Sequence, residues 1–428
     1  MKTSPDPLDG IQRTSVTIAQ AREIILDSIF PLGSERIGIE VAQGRVLAEE
    51  LRSERLIPPL DNSAMDGFAV RAQDLDRVPA TLRVVEDLPA GRATDRKLGP
   101  GEAARIMTGA AIPRGADAVV MVEATEAADS SRDGNGGSVR VLGGVQPGEN
   151  IRRAGADVSP GTLIGGPGTR LAPAAVGMLA AIGRTQVRVA ARPRVGILAT
   201  GDEIVEPDQL GDDGRIASSN SYALCAAVSE IGAVPVYLGI ARDRPDEIEA
   251  TFREALRCDA VVSTGGVSVG DRDYVKGVLA GMGGSLRLWR VQMKPGAPLA
   301  FCVLDGCPVF GLPGNPASTL VTFEQFVRPG LLRMMHHRQI YRPVEPAVLQ
   351  DAYSKPPGRL HLVRVTLERR SGVLRARLAG DQSSGVLLTM MRADGLAVVE
   401  AETTQLPAGS EVRVQLLGRD DLREEPGF

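Results

Sequence analysis

The chain has 428 residues, 43% hydrophobic and 24% charged, the balance of a folded globular protein of several domains rather than of a disordered chain. Its 49 basic and 53 acidic residues leave a net charge of -4 with no long basic run, which argues against a nucleic-acid partner. No apolar run is long enough to span a bilayer, and the amino terminus MKTSPDPLDG lacks the apolar core of a signal peptide, so no membrane association and a cytoplasmic location are expected.

Thr17 to Gln20 form a capping-box pattern, and Ile18, Ala21, Ile25 and Ile29 follow at helical spacing, which predicts one amphipathic helix. A second helical stretch is expected from about Val41 to Leu51, before Ile57-Pro58-Pro59-Leu60 enforces an extended path and a boundary near residue 55. From there to about residue 150, strand-like pieces (Thr81 to Val85, Ala118 to Val122, Ser138 to Leu142) alternate with Gly, Pro and Asp clusters, which predicts a small β-rich domain. Residues 171–182 return to an Ala-rich helical pattern, so the β-rich piece is expected to interrupt one domain. Between residues 193 and 337 strands alternate with helices, the pattern of a mostly parallel sheet covered on both faces. The strands fall at Val195 to Ala199, Val234 to Ile240, Ala260 to Thr264 and Val309 to Leu312. The helices fall near Ser221 to Ile231, Asp246 to Leu256, Tyr274 to Leu279 and Ala317 to Met335. After Arg342-Pro343, short strands (Leu360 to Leu367, Val373 to Leu378, Leu396 to Glu400, Glu411 to Leu416) predict a terminal β domain.

The four cysteines form no CxxC pair and read as reduced thiols, and three histidines offer little material for a zinc site or a Ser-His-Asp triad. Any metal must therefore be held largely by carboxylates. In an open α/β sheet, ligands bind outside the carboxyl ends of the strands. Thr200-Gly201-Asp202-Glu203, Asp243, the segment Ser263 to Asp273 and Pro313-Gly314-Asn315-Pro316 all follow strands there. Gly265, Gly266 and Gly270, beside Ser263, Thr264 and Ser268, suit either a phosphate cradle or a tight turn. Glu203, Asp243 and Asp273 suit magnesium at phosphate oxygens, although Asp243 also reads as a helix cap and Glu203 as a solvated loop residue. Lys294, in Lys294-Pro295-Gly296, offers a cation to an oxyanion or lies in an exposed turn. Three upstream segments, Pro59 to Ala69, Arg105 to Ala110 and Gly148 to Asp157, are candidate binding loops or plain turns.

Taken together, DNSAMDGFA (61–69), RIMTGA (105–110), GENIRRAGAD (148–157), TGDE (200–203), STGGVSVGDRD (263–273) and LPGNP (312–316) resemble one family in order. It is the molybdopterin molybdenumtransferases, the bacterial MoeA proteins and the related E domain of gephyrin. The resemblance runs from about residue 15 to residue 417. It implies an α/β multidomain fold of four parts: a discontinuous elongated linking domain at 12–54 plus 150–190, a β-rich domain at 55–149, a molybdopterin-binding α/β domain at 191–338, and a C-terminal β-barrel-like domain at 339–420. It also implies a homodimer whose active cleft joins the α/β domain of one subunit to the β-rich domain of the other.

The implied reaction is insertion of molybdate into adenylylated molybdopterin, with Mg2+-dependent release of AMP, to give molybdenum cofactor. By motif, catalysis falls to Asp66, Asp157, Glu203, Asp243 and Asp273, of which Glu203, Asp243 and Asp273 would also hold the metal. The pterin substrate would be bound by Asn62, Ser63, Met65, Thr108, Thr200, Gly201, Ser263, Gly265, Gly266, Ser268, Gly270, Lys294, Pro313, Gly314, Asn315 and Pro316. Arg364 and Thr389 stand where some members contact molybdate, whereas Ala297 replaces a lysine that many members carry. Two other readings stay open: a molybdopterin adenylyltransferase, which the α/β part alone resembles, and a non-catalytic gephyrin-like scaffold. An adenylyltransferase that hands over the substrate is a candidate partner. Molybdate and tungstate are too alike in size and charge for the sequence to separate them.

Overall fold

The computed structural model describes residues 15–92, 94–129, 137–266 and 274–418. The expected capping box opens the helix α1 (Ile18–Asp27), with Thr17 Oγ1 accepting from the Gln20 N-H and the Gln20 side chain accepting from the Thr17 N-H. Its apolar face, Ala21 and Ile25 with Ile29 beyond, enters the same core as Val195, Ile197 and Val262. This helix, grouped above with the linking segment, therefore packs on the α/β unit.

The stretch from Val41 to Leu51 is not a helix. One 3-10 turn at Ile39–Val41 gives way to Gly44, whose φ of 76° is left-handed, and the chain then runs against residues 169–171. The Leu47 N-H donates to Thr169 O at 2.9 Å and the Leu171 N-H to Arg45 O at 2.8 Å. The returning chain thus claims backbone groups that a helix would have paired internally. Two antiparallel pairings, Ser34–Gly38 with Gln186–Ala190 and Leu51–Arg52 with Leu163–Gly165, join the outgoing and returning runs. They enclose a small core of Leu47, Leu51, Leu171, Val187 and Val189, which Leu179 of α2 (Pro173–Ala181) completes.

Between those pairings lies a six-stranded sheet in the order Ala118–Met121, Gly67–Val70, Glu102–Ile106, Ala80–Leu88, Ser138–Val141, Thr125–Asp129. Two of its strands, Gly67–Val70 and Glu102–Ile106, lie in segments that read as loops. A Cβ on Gly67 would stand 1.9 Å from the Val120 carbonyl oxygen, so only glycine lets these strands approach.

In the α/β unit the strand order is Val234–Ala241, Arg194–Thr200, Ala260–Thr264, Cys307–Leu312, Pro298–Leu304, Ser285–Arg290. The first four are parallel, as expected, and the last two complete the edge antiparallel. The helices α3 (Ser219–Glu230), α4 (Pro245–Ala255), α5 (Tyr274–Gly281), α6 (Pro316–Thr322) and α7 (Arg328–Met334) cover the sheet. Leu224 and Val228 of α3 and Val321 of α6 pack on one face, and Ile248, Phe252, Val275 and Val278 of α4 and α5 on the other. The expected single helix from Ala317 to Met335 is α6 and α7 joined through one wider π turn at Phe323–Val327.

The C-terminal strands close on themselves. Leu360–Arg370, Val373–Leu378, Val344–Leu349, Glu411–Leu416 and Gly395–Val399 form a ring that returns to Leu360–Arg370, around Leu349, Val365, Ala376 and Val414. The helix α8 (Leu387–Arg392) lies beside this barrel. Met293–Lys294 adds in parallel to Leu360–Arg370, pairing Lys294 with His361, which welds the barrel to the α/β unit. Among the described residues no helix is long and apolar enough to cross a membrane.

Candidate active site

Parallel strands whose backbones are paired on both sides end together, and the loops that leave them must diverge to reach helices on opposite faces. At that end of the sheet the chain leaves a cleft of about 810 Å³. Its walls include Thr200, Gly201 and Glu203 from the first strand end, Asp243 from the second, and Thr264, Gly265 and Gly266 from the third. Pro313, Gly314, Asn315 and Pro316 come from the fourth, and Lys294, Pro295, Gly296 and Ala297 from the turn that reaches the barrel. The structure thus brings together most of the residues that the α/β part of the sequence singled out.

The loops are fixed to one another by polar side chains. Asn220, in the first turn of α3, donates to Thr264 Oγ1 at 3.0 Å and to Gly314 O at 2.7 Å. The Thr264 hydroxyl donates to Pro313 O at 3.2 Å. A Cβ on Gly265 would lie 2.4 Å from the Thr200 carbonyl oxygen, and its φ is 90°, so the turn needs glycine on both counts. Asn315 donates to Ser384 Oγ at 2.9 Å, and the Ala317 N-H to Ser384 O at 3.0 Å, which brings Ser384 and Gly385 of the barrel into the cleft wall. Along another edge, the hydroxyls of Tyr222 and Tyr237 both donate to Glu206, at 2.9 and 2.6 Å. They anchor the short pairing of Ile204–Val205 with Ile216–Ala217 that also lines the cleft.

Several expected site residues lie elsewhere. Ser263 is fully buried within its strand, with Oγ unpartnered among the described residues, and is not part of the cleft wall. Arg364 is fully buried and acts as a strut: Nε donates to Thr389 Oγ1, and Nη2 to Asp381 O and Ser383 O, all at 3.0 Å. Neither Arg364 nor Thr389 lines the cleft. The strand period of two puts Arg364 on the face opposite Val363 and Val365 of the barrel core, beneath the loop that carries Ser384. Ser268, Gly270 and Asp273 lie outside the described residues.

The upstream residues form a separate surface. Asp66 accepts from both the N-H and the hydroxyl of Thr108, at 2.7 Å each, and these bonds hold its carboxyl below the usual range. Ser63 is buried, its hydroxyl donating to Met65 O at 2.5 Å, while the Met65 side chain is exposed. Asn62 pairs with Arg152 across two short strands, and the Asp157 N-H donates to Ile57 O at 2.9 Å. None of these residues lines the α/β cleft of the same chain.

Arg359, Ser384 and Asn220 enter the site without having been marked in the sequence. Asn220 sits in the polar run Ser218-Ser219-Asn220-Ser221 at a helix start, which was a legible signal. Arg359 and Ser384 become neighbours of the cleft only through the barrel's docking. Lys294 and Arg359 give the cleft cationic side chains, and both, after burial and Lys355, help push the nearby His361 imidazole down to about 4. Glu203 and Asp243 give it carboxylates, and no group of three or more His, Cys, Asp or Glu side chains among the described residues is placed to hold a metal ion.

Residues 16–183 match the MoeA N-terminal region (domain I and II), residues 196–333 a family described as a probable molybdopterin binding domain, and residues 346–417 the MoeA C-terminal region (domain IV). The chain is 38% identical to a molybdopterin molybdenumtransferase of Nostoc sp. over 93% of both chains. It is 34% identical to that of Bacillus subtilis over 92% of both. The solved structure of a molybdopterin biosynthesis moeA protein from Pyrococcus horikoshii superimposes with a TM-score of 0.79 at 31% identity, covering 94% of this chain and all of that one.

Proposed function

The chain belongs to the MoeA family of molybdopterin molybdenumtransferases, and we propose that its cleft inserts molybdate into adenylylated molybdopterin, with hydrolysis of the adenylate to AMP. The observation that carries this reading is the meeting, in one cleft, of two carboxylates, two cationic side chains and several glycine-bearing turns from the strand ends and the barrel. An anionic, phosphate-bearing pterin and an oxyanion need such a combination.

Glu203 and Asp243 are the carboxylates assigned to magnesium, with Asp273, which lies outside the described residues, as the third. Two carboxylates together with water and substrate phosphate oxygens fit magnesium, which rarely takes an all-protein cage. When bound, the ion would neutralise charge on the phosphate oxygens. Lys294 and Arg359 draw the oxyanion in, and Ala297, only 9% exposed, leaves that task to them. Asn220, Asn315 and Thr264 hold the loops in register. Asp66, Asp157 and the loop around Met65 are assigned to the cleft of a second subunit, since in their own chain they lie off it. The four-domain division given above belongs to the same proposal.

An adenylyltransferase reading leaves unexplained the matches at 16–183 and 346–417, which flank the α/β unit. The test is to mix the purified protein with adenylylated molybdopterin, magnesium and either molybdate or tungstate, and to measure AMP and active cofactor. Oxyanion- and magnesium-dependent AMP release is expected, and should be lost in Asp243→Asn and Glu203→Gln. Binding of the adenylate without any AMP release would favour a scaffold instead.

A further inference from the structure

One of the two cationic side chains of the cleft comes from an irregular loop. Arg359 is exposed in the cleft wall, and among the described residues its guanidinium makes no hydrogen bond or ion pair. Its main chain therefore sets where it stands. The loop that carries it, Lys355-Pro356-Pro357-Gly358-Arg359, is poorly equipped to hold itself, because its two prolines supply no N-H. The N-H groups it does have reach outwards, Lys355 to Thr404 O and Gly358 to Ala401 O, both at 2.9 Å.

The carbonyls of this region converge on one ammonium. Lys355 is 7% exposed, and its Nζ donates to Ala401 O at 2.8 Å, to Arg359 O at 3.0 Å and, at a longer 3.4 Å, to Pro356 O. Three rotatable donors on one atom suit carbonyls that face it from several sides, which a planar guanidinium does not. Burial pulls the ammonium below the usual lysine range, against the opposing pull of Glu402 and Glu400. An apolar side chain would fill the same space without desolvating a charge. What the ammonium adds is a fixed path for the loop. Beyond Arg359, the Leu360 N-H donates to Gln292 O at 3.2 Å, beside the Met293–Lys294 pairing. The arginine is thus held between a tether to the barrel and a tether to the α/β unit.

We propose that Lys355 is a positioning residue for Arg359. It does not line the cleft, and it acts by holding the main chain that places the guanidinium where an oxyanion is received. This rests on the reading above, in which Lys294 and Arg359 draw the oxyanion in.

The test uses the full-length protein and the variants Lys355→Met, Lys355→Gln, Arg359→Ala and Lys355→Met with Arg359→Ala. The first readout is limited digestion by trypsin, which needs no ligand. Trypsin does not cut before proline, so substituting Lys355 removes no cleavage site. Cutting after Arg359 should be faster in Lys355→Met on the order of tenfold, as the loop's open population rises. The second readout is calorimetric titration with molybdate, below the melting transition of every variant. Lys355→Met and Arg359→Ala should each weaken binding on the order of tenfold, and the double variant should bind no more weakly than Arg359→Ala alone. In turnover the same loss should fall on the KM for molybdate and spare kcat. Lys355→Gln keeps a donor without the charge, should lie between wild type and Lys355→Met, and carries the comparison if the methionine variant does not fold. Additive losses in the double variant would overturn the proposal, as would wild-type molybdate affinity or unchanged cutting after Arg359 in the Lys355 variants. A wild-type protein that bound no molybdate would remove the oxyanion role assigned to Arg359, and the digestion would still decide whether Lys355 fixes it.

Discussion

Replacing Arg364 by methionine separates two roles for this residue, direct contact with the oxyanion and support of the loop beneath it. The structure gives its guanidinium three bonds at 3.0 Å, to Thr389 Oγ1, Asp381 O and Ser383 O, in a site with no exposure. At about 1 kcal/mol net for each, because the buried charge also loses its desolvation cost, the substitution should destabilise the barrel by roughly 3 kcal/mol. If the barrel unfolds as its own cooperative unit, that corresponds to a fall of roughly 12–24 °C in its melting temperature. Differential scanning calorimetry would show it as an early transition. Arg364→Lys keeps the charge but loses the planar fork, and should fall between the two. Since Ser384 meets Asn315 and Ala317 from the loop that Arg364 supports, activity should drop with temperature along with the barrel. The reasoning fails if Arg364→Met melts like wild type while its KM for molybdate rises strongly, because the guanidinium would then be reading the substrate.

Gly67→Ala should destabilise the upstream sheet by about 1–3 kcal/mol, since the added Cβ meets backbone at Val120 rather than a movable side chain; an unchanged urea midpoint would contradict the close approach. His361 and His337 are each held down to about 4, chiefly by burial, with Lys355, Lys294 and Arg359 adding for the first and Arg170 and Arg328 for the second. An unfolded imidazole protonates near 6.5. Between about 6.5 and 4 the unfolded chain therefore binds more protons, so stability is full above that window and falls as the pH drops through it. His361→Gln should flatten the slope and leave the share of His337, as read from urea midpoints across pH. Burial pushes the thiols of Cys302 and Cys307 up to about 12, so at pH 8 a thiol reagent should label the less buried Cys225 first and reach those two only on unfolding. Rapid labelling of Cys302 in the folded protein would contradict its placement.

The α/β unit was legible because its strands are buried on both faces. Runs such as Val195 to Ala199 and Ala260 to Thr264 carry their own signal, and the polar loops that follow them must gather at one end of a parallel sheet. Glu203, Asp243, Lys294 and Pro313 to Pro316 could be placed together on that ground. Local periodicity misled at Val41 to Leu51, where apolar residues at near-helical spacing face a strand returning from residues 163–171. It also hid Gly67–Val70 and Glu102–Ile106, which run into the polar, glycine-bearing segments Pro59 to Ala69 and Arg105 to Ala110 and read as loop until the partner strands are present.

The sequence by itself determined which residues have the chemistry, since carboxylates, glycines and prolines at strand ends declare themselves through spacing and turn preference. Only the tertiary structure decided which of them share a cleft. Arg364 became a strut because the C-terminal fold brings Asp381, Ser383 and Thr389 to it, and Arg359 a wall residue because the barrel docks through Met293–Lys294, a contact between distant segments. Thr200 became a wall residue whose buried hydroxyl has no partner among the described residues. Burial and non-local pairing depend on the closed chain, and no window of neighbouring residues contains them.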